Sequence, residues 1–561
     1  MRRSIWSLWR NADGAVAPIV ALSLTALIAA GGIAFDYARM ASLDTELQNA
    51  ADQAALAAAS QLDGEDGACA RAAAAASSLI NNRTLFANEA GSTRDVTIDN
   101  EGTCDATDKI RFYKSYDQAN DTPGDPATTD AEAKVVIVSV NPREAHFALT
   151  PIVAAFRSGD LHAEAVASLG SAICKVPPVM ICNPDEPDTN TDPDYVFDPS
   201  LYVGKGLKLV TVGNSGSTAW APGNFGYLDT GSSTSNPNVE LRQALGWTGA
   251  PGNCSPLDGV QTRTGAGTPV TQALNTRFDI YEKANTGNGN AASCPSGGSC
   301  PPSINTVKDL VRKSAPPNGG KCGITNSEWE PPAKEYLPTS TSADLDLTNP
   351  ANVPTAMGYP RDKCHAVSTA GACSPNLKIG DGNWDRNAYF FVNYGWTSAQ
   401  WPTYLASGVT SAQIPIGTSP TRYQVYLWEV ANRNSVIGGK TILGTRSFGS
   451  GPSAGKDYDQ PVCSALQSPA TSGVVPGGTN VDRRRISAAV VNCHASNVHG
   501  GGNTVYPVAK WIELFLVEPS YNRARTDAND VYVEVIGETA TGAAGSTAAQ
   551  VVRRDVPYLI K

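Results

Sequence analysis

Twenty-one consecutive residues without a charge, Ala15 to Phe35 ("AVAPIVALSLTALIAAGGIAF"), constrain this chain more than any other feature of it. As a helix they extend about 30 Å at 1.5 Å per residue, the thickness of a bilayer core. A cleaved signal peptide has an apolar region of only about 7–15 residues, so a retained anchor is expected. Arg2, Arg3 and Arg10 precede the span and a mixed flank follows it. That asymmetry predicts a cytoplasmic N-terminus, with the bulk of the chain on the periplasmic side of an inner membrane.

The helical pattern does not stop at the membrane. "DYARMASLDTELQNAADQAALAAASQL" continues to Leu62 without Gly or Pro. Met40, Leu43, Leu47, Ala50, Ala54 and Ala57 repeat at alternating spacings of three and four, a narrow apolar seam on one helix face. Small residues on such a seam admit a second backbone at close range. The pattern does not name that backbone. It fits a helix lying on its own domain and equally a helix packed against another subunit, and we carry the second as the expectation for these six residues.

These residues resemble a known family. Gly14, then Gly32, Ala34 and Asp36, then Arg39, then "LQNAADQAALAAA" from Leu47 to Ala59 are similar to the N-terminal domain of TadG-like proteins of the Flp (tight adherence) pilus-assembly system. The resemblance covers about fifty residues. It implies a membrane-anchored pilus component whose partners are other assembly proteins and pilin-like subunits. A prepilin peptidase cuts after a Gly and prefers Glu five residues later. Ile19 stands there after Gly14, so no such cleavage is expected.

Beyond the helix, Val135 to Val140 alternates as a strand, a short helix is expected next, and His162 to Leu169 reads as a returning strand. Residues 37–172 are therefore expected to form a small pilin-like α+β domain on the long helix, after an anchor at 1–36. The rest, 173–561, is expected to be a β-rich periplasmic domain, making the whole chain α+β. Its strand candidates are Leu207–Val212, Tyr423–Val430, Ile486–Val491, Trp511–Val517 and Val531–Ile536. Residues 286–382, with five cysteines and many breakers, read as an inserted disulfide-held region. No von Willebrand A metal motif, which some TadG-like proteins carry, is found; "PGNFGYLD", "NTRFDIY" and "RRRISAAVVNC" resemble a less characterised C-terminal region of that family.

All twelve cysteines follow position 68, and none has the paired C-x-x-C spacing of a zinc site. Disulfides in an oxidising compartment suit them. Cys174 with Cys182, Cys294 with Cys300 and Cys364 with Cys373 form short closed pairs. Cys69 and Cys104 flank one variable stretch, and Cys463 and Cys493 are further disulfide candidates. A net charge of −10 argues against nucleic acid, which needs a basic face.

Three motifs invite a chemical reading. Asp229 opens "DTGSS", one half of a pepsin-like site. That chemistry needs two carboxylates sharing a proton, and no second Asp-Thr-Gly or Asp-Ser-Gly occurs. A turn is expected. "GPSAG" sets Ser453 in a hydrolase frame with Asp457 and His494 following, without the strand and helix that the elbow requires. Asp188, Asn190, Asp192 and Asp194 alternate as in a calcium loop, but Pro193 and Pro199 replace the Gly and Glu of an EF-hand. An acidic linker is expected. The reading is a non-enzymatic pilus-assembly protein with no catalytic, metal or cofactor site and no small-molecule substrate. A membrane-tethered exported hydrolase and an envelope adhesin unrelated to pili are the alternatives.

Overall fold

The computed structural model describes residues 16–561 except 64–65, 80–83, 86–95, 99–101, 119, 148–157, 175–178, 194, 212–222, 229–236, 250–253, 257–258, 264–267, 283–292, 296, 313–321, 325–327, 369–370, 375–376, 409–416, 445–458, 464–472, 478–479, 499–503, 526–529 and 540–551. The chain divides into two units: residues up to Ser171 together with Asp555–Lys561, and Ala172–Arg554.

In the first unit, α1 runs from Val16 to Ala59 as one 44-residue helix. Its Ala- and Leu-rich sequence has no Pro after Pro18, and the helix continues through Gly31 and Gly32. A second Ala-rich helix, α2 (Ala68–Leu79), packs against it through Ala72, Ala73 and Ala76. The Asp130 carboxylate accepts the N–H groups of Gly67 and Cys69, both at 2.9 Å, at the start of α2. Those donors, at the positive end of the helix, hold its pKa below the usual carboxylate value. Cys69–Cys104 closes a disulfide beside them.

The sheet beneath is antiparallel: β1 (Ile110–Tyr113), β2 (Val135–Ser139) and β5 (Glu164–Cys174), with β3 (Arg143–His146) and β4 (Ser158–Leu161) as a separate hairpin. Alternation sorts the side chains. Phe112, Val136, Val138, Ala165 and Ala167 join the helices in one core, while Val135, Ile137 and Val166 face away. The helix expected after β2 falls on residues 148–157, outside the described residues. The last strand of the chain, Val552–Leu559, pairs with β5. The expected domain 173–561 therefore gives up its final residues to the first unit.

In the second unit, six strands form a closed ring. Around it run β6 (Val179–Cys182), β8 (Asn224–Leu228), β7 (Gly206–Thr211), β13 (Asp530–Glu538), β12 (Lys510–Leu516) and β10 (Arg485–Val491), which returns to β6. β9 (Val260–Arg263) and β11 (Val505–Tyr506) extend the sheet from β8. Ile486, Ala488, Val490, Ile512, Leu514, Val531 and Val533 share one core with α3 (Pro237–Gly246) and α4 (Thr268–Asn275). Phe515, Val517 and Tyr532, on the opposite faces of their strands, meet an aromatic layer carried by α5 (Arg386–Tyr394), α6 (Trp401–Ser407) and α7 (Arg422–Ala431). Burial on both faces explains the largely apolar runs "ISAAVV" and "WIELFL", whose polar members Ser487 and Glu513 are hydrogen-bonded to each other at 3.1 Å.

Two expectations are corrected here. Tyr423–Val430 is not a strand but the body of α7. Thr421 Oγ1 accepts the Gln424 N–H at 3.1 Å and Gln424 Oε1 accepts the Thr421 N–H at 2.9 Å, a reciprocal cap that starts a helix. Residues 286–382 are not a self-contained insertion either. Cys322 bonds to Cys463, and Tyr336, Met357 and Tyr359 belong to the same aromatic layer as α5–α7.

Candidate membrane anchor and assembly region

The first half of α1 is apolar and faces outward: Val16, Leu22, Leu27 and Phe35 are 64, 72, 70 and 57% exposed. It is the one helix among the described residues long and apolar enough to cross a membrane. Within this exposed stretch Gly32 and Asp36, one turn apart, are buried, so the motif residues at the end of the span sit on the face that the helix turns toward protein.

The seam continues from that face, and here the structure overturns an expectation. Leu43, Leu47, Ala50 and Ala54 are fully buried, and what covers them is the unit's own core: α2, Phe112, Val136, Val138, Ala165 and Ala167. Met40 and Ala57 are half-buried at the margins. Ala51, Ala55, Ala58 and Ala59, also fully buried, widen the seam into a broad face. The small side chains admit a backbone at close range, and it is the chain's own. At the flanks the Glu46 carboxylate accepts the Leu85 N–H at 3.0 Å, and Gln48 donates to Asp52 at 2.8 Å and to the Glu164 carbonyl at 3.2 Å. Four of the six seam residues, Leu43, Leu47, Ala50 and Ala54, are thus covered by the chain itself rather than left as a surface for a partner subunit.

Residues 14–61 match the family model of Flp pilus-assembly TadE/G-like proteins. The match spans the anchor and its continuation over the α/β sheet as one helix. It ties the chain to Flp/Tad pilus assembly and to the company of other pilus components. The chain matches no curated protein and no solved structure.

The second unit holds charged groups at unusual depth. The run Arg483–Arg484–Arg485 is buried or nearly so, and each side chain is aimed at protein acceptors. Arg277 and Arg483 together cap the C-terminal end of α3. Arg277 donates to the Leu245 carbonyl at 2.7 and 3.0 Å, and Arg483 donates to the carbonyls of Gly246 and Trp247. The negative end of the helix suits both cations. Arg484 donates to the carbonyls of Leu516 and Val517 and stacks over Phe278 and Phe515. The acceptors and rings that engage these guanidinium groups are the chain's own.

A second cluster joins Asp309 and Glu518 to Arg361, Arg523 and Arg525. Burial pushes the Glu518 carboxyl up, and the three guanidinium groups outweigh it, leaving the pKa at about 2. A third surrounds Glu429, whose carboxylate accepts from Tyr359, Tyr389, Tyr394 and Asn305. Burial raises its pKa against those donors. Shifted groups of this kind mark active sites when a cleft reaches them. Here they are enclosed.

The remaining sequence candidates fall as follows. Asp229, Ser453, Asp457 and Asp194 lie outside the described residues. His494 is exposed, and its N–H donates to Glu186 at 2.9 Å. Asn190 Oδ1 accepts the Asp192 N–H at 3.0 Å, an Asx turn, while its amide donates to Glu186. The cysteines of the clusters Cys364–His365–Cys373 and Cys69–Cys104–Asp130 are oxidised to disulfides, so they offer no thiolate to a metal. Cys294–Cys300 is closed as well. Sequence reasoning missed Arg277, Arg361, Arg422 and Glu429 as structural nodes. The only local signal was a charged residue inside an apolar or aromatic run, as in "YLWEVA".

Proposed function

We propose that the protein is a minor-pilin-like or assembly subunit of the Flp/Tad pilus that acts by association and carries out no chemistry. The observation that carries this reading is the continuous helix Val16–Ala59, within the matched residues 14–61, which joins an exposed apolar span to a domain built on its own buried seam. With the seam occupied, association with pilin-like partners falls to the span itself, Val16–Phe35, inside the inner membrane. The arginines before the span support a cytoplasmic N-terminus and periplasmic units, and the disulfides suit that compartment. The non-enzymatic reading is supported by Glu429 and Glu518, whose shifted carboxylates are already engaged by the protein's own tyrosines and arginines.

A strain carrying only a chain in which residues 16–35 are replaced by an unrelated apolar helix of equal length tests this. The chimaera should stay in the membrane fraction and fail to support pili. Normal pili would overturn the proposal that the span is the associating surface. Recovery of a shortened soluble periplasmic form of the natural chain would overturn the anchor.

A further inference from the structure

The sheet of the first unit is finished by residues that follow the second unit. The chain leaves at Ser171, builds Ala172–Arg554, and then lays Asp555–Lys561 back on the first unit. The contact is made at the edge of β5. The Ile560 N–H donates to the Val166 carbonyl at 2.7 Å, and the Val166 N–H donates to the Lys561 carbonyl at 2.8 Å. Lys561 pairs with Asp121, and Ile560 packs on the small cluster of Val135, Ile137 and Val166. Beyond the backbone pairing with β5, the side chains at the described end of the strand are partly exposed. Tyr558 and Leu559 are 45 and 39% exposed, and the two side chains of the ion pair are more than half exposed. An exposed pair of this kind adds little.

A strand that finishes a sheet edge leaves behind unpaired N–H and C=O groups when it departs, and an identical strand satisfies them with identical contacts. Residues 540–551, "ATGAAGSTAAQV", connect the segment to the second unit, and ten of these twelve residues are Gly, Ala, Ser or Thr. Twelve residues span at most about 40 Å. Exchange of one element between identical chains is a low-cost route to association. It wins over closure within one chain when the copies are crowded, and confinement to a membrane plane crowds them.

We propose that the β5 edge is an exchange surface between copies of this chain, on which Asp555–Lys561 of one copy takes the place of the same segment of its neighbour. The partner is a second copy, because the segment seated on the edge is the chain's own and every contact it makes recurs in a copy. The inference stands on the first unit's sheet and does not rest on the pilus role.

The Lys561–Asp121 pair supplies a test on the natural chain, with one variant as its control. Full-length chain in natural isotopes and full-length chain grown in nitrogen-15 are purified in detergent, mixed in equal amounts and incubated at rising concentration. A zero-length carbodiimide then joins Lys561 to Asp121, and the linked peptides are weighed. Exchange gives light–heavy linked peptide that grows with concentration, reaching about half of the linked peptide in the dimer fraction at random mixing. The variant Lys561→Gln loses this peptide and identifies it. Linked peptides of one label only, at every concentration, overturn the proposal. Dimers whose Asp121–Lys561 links remain light–light and heavy–heavy overturn it too, since they associate elsewhere.

Discussion

Cys182 is bonded to Cys493, 311 residues further along the chain, and not to Cys174, which stands eight residues before it. The register explains why. β6 and β10 are parallel neighbours with Cys182 opposite Val491, so the residue just past the end of β10 reaches the last residue of β6. Cys174 lies instead on β5, where its backbone partner is Cys254. The bond ties the start of the second unit to a strand near its end.

Replacing Cys182 and Cys493 by Ser should lower the stability of the second unit by about 2–4 kcal/mol, the usual range for a buried native disulfide. The loop-entropy ceiling for so long a span is nearer to about 6 kcal/mol, but Cys322–Cys463 closes within it and shortens the effective loop. Denaturant midpoints of the double variant and the parent measure the difference. An unchanged midpoint would mean that the ring closes as firmly without the bond.

Ala50 and Ala54 are fully buried against α2 and the sheet, so Ala50→Leu with Ala54→Leu should unfold or loosen the first unit. Overpacking costs about 1–3 kcal/mol at each site. Asn49, exposed on the opposite side of the same turn, is the control: Asn49→Leu should leave thermal unfolding of the unit where it was. A double variant that melts like the parent would restore the reading of the seam as a free surface.

The anchor, the long helix and most strands were legible because their signals are periodic and local. Val135–Ser139 alternates, and Ile486–Val491 and Trp511–Leu516 are largely apolar runs that each follow a basic residue. Tyr423–Val430 was misread because its aromatic residues favour a strand in isolation, while the Thr421–Gln424 cap that starts a helix there is only two side chains long. The partner of the seam was not legible in principle. A face rich in Ala is the same sequence whether a neighbour or the chain's own sheet covers it. The buried nodes fared no better, since Arg422 meets Asp362 and Glu534 across 60 and 112 residues, and no window of sequence holds all three.

His365 makes the second unit acid-sensitive in a defined window. Its Nδ1 faces the Tyr532 hydroxyl at 2.8 Å and its Nε2 the Leu377 carbonyl at 2.9 Å. Burial lowers its pKa to about 4, against the opposing pull of Asp362. The unfolded chain therefore takes up the proton first, near pH 6.5, and the folded chain resists until about 4. Stability contributed by the neutral ring is full above about 6.5 and is lost as pH falls toward 4, by up to about 3 kcal/mol. Urea midpoints at pH 7 and pH 4.5 should differ accordingly, and His365→Gln should remove most of that slope. A slope that survives the substitution would assign it to carboxylates instead.

Arg422 holds two carboxylates at once, which makes it the most consequential single side chain in the second unit. Its guanidinium bonds Asp362 and, at 2.8 Å, Glu534, and its Nε donates to the Pro360 carbonyl at 2.6 Å. All three charged side chains are fully enclosed. Glu534 also accepts the N–H groups of Arg422 and Tyr423 at 2.9 and 2.8 Å, so it caps the start of α7 from β13. Asp362 accepts from Gly206 and Gly382 at 3.0 and 2.8 Å, linking the closed sheet to the aromatic layer. Arg422→Met keeps most of the apolar stem but leaves two buried carboxylates without their cation, a loss of about 3–5 kcal/mol at pH 7. The pH dependence separates this cause from lost packing. Without the guanidinium, burial raises both carboxyl pKa values above that of the unfolded chain, so the folded variant takes up protons first as pH falls. Its stability then rises on acidification from pH 7 toward about 5, and the deficit against the parent narrows. A deficit that stays constant over that range would mean that Arg422 acts through its stem and its carbonyl contact alone.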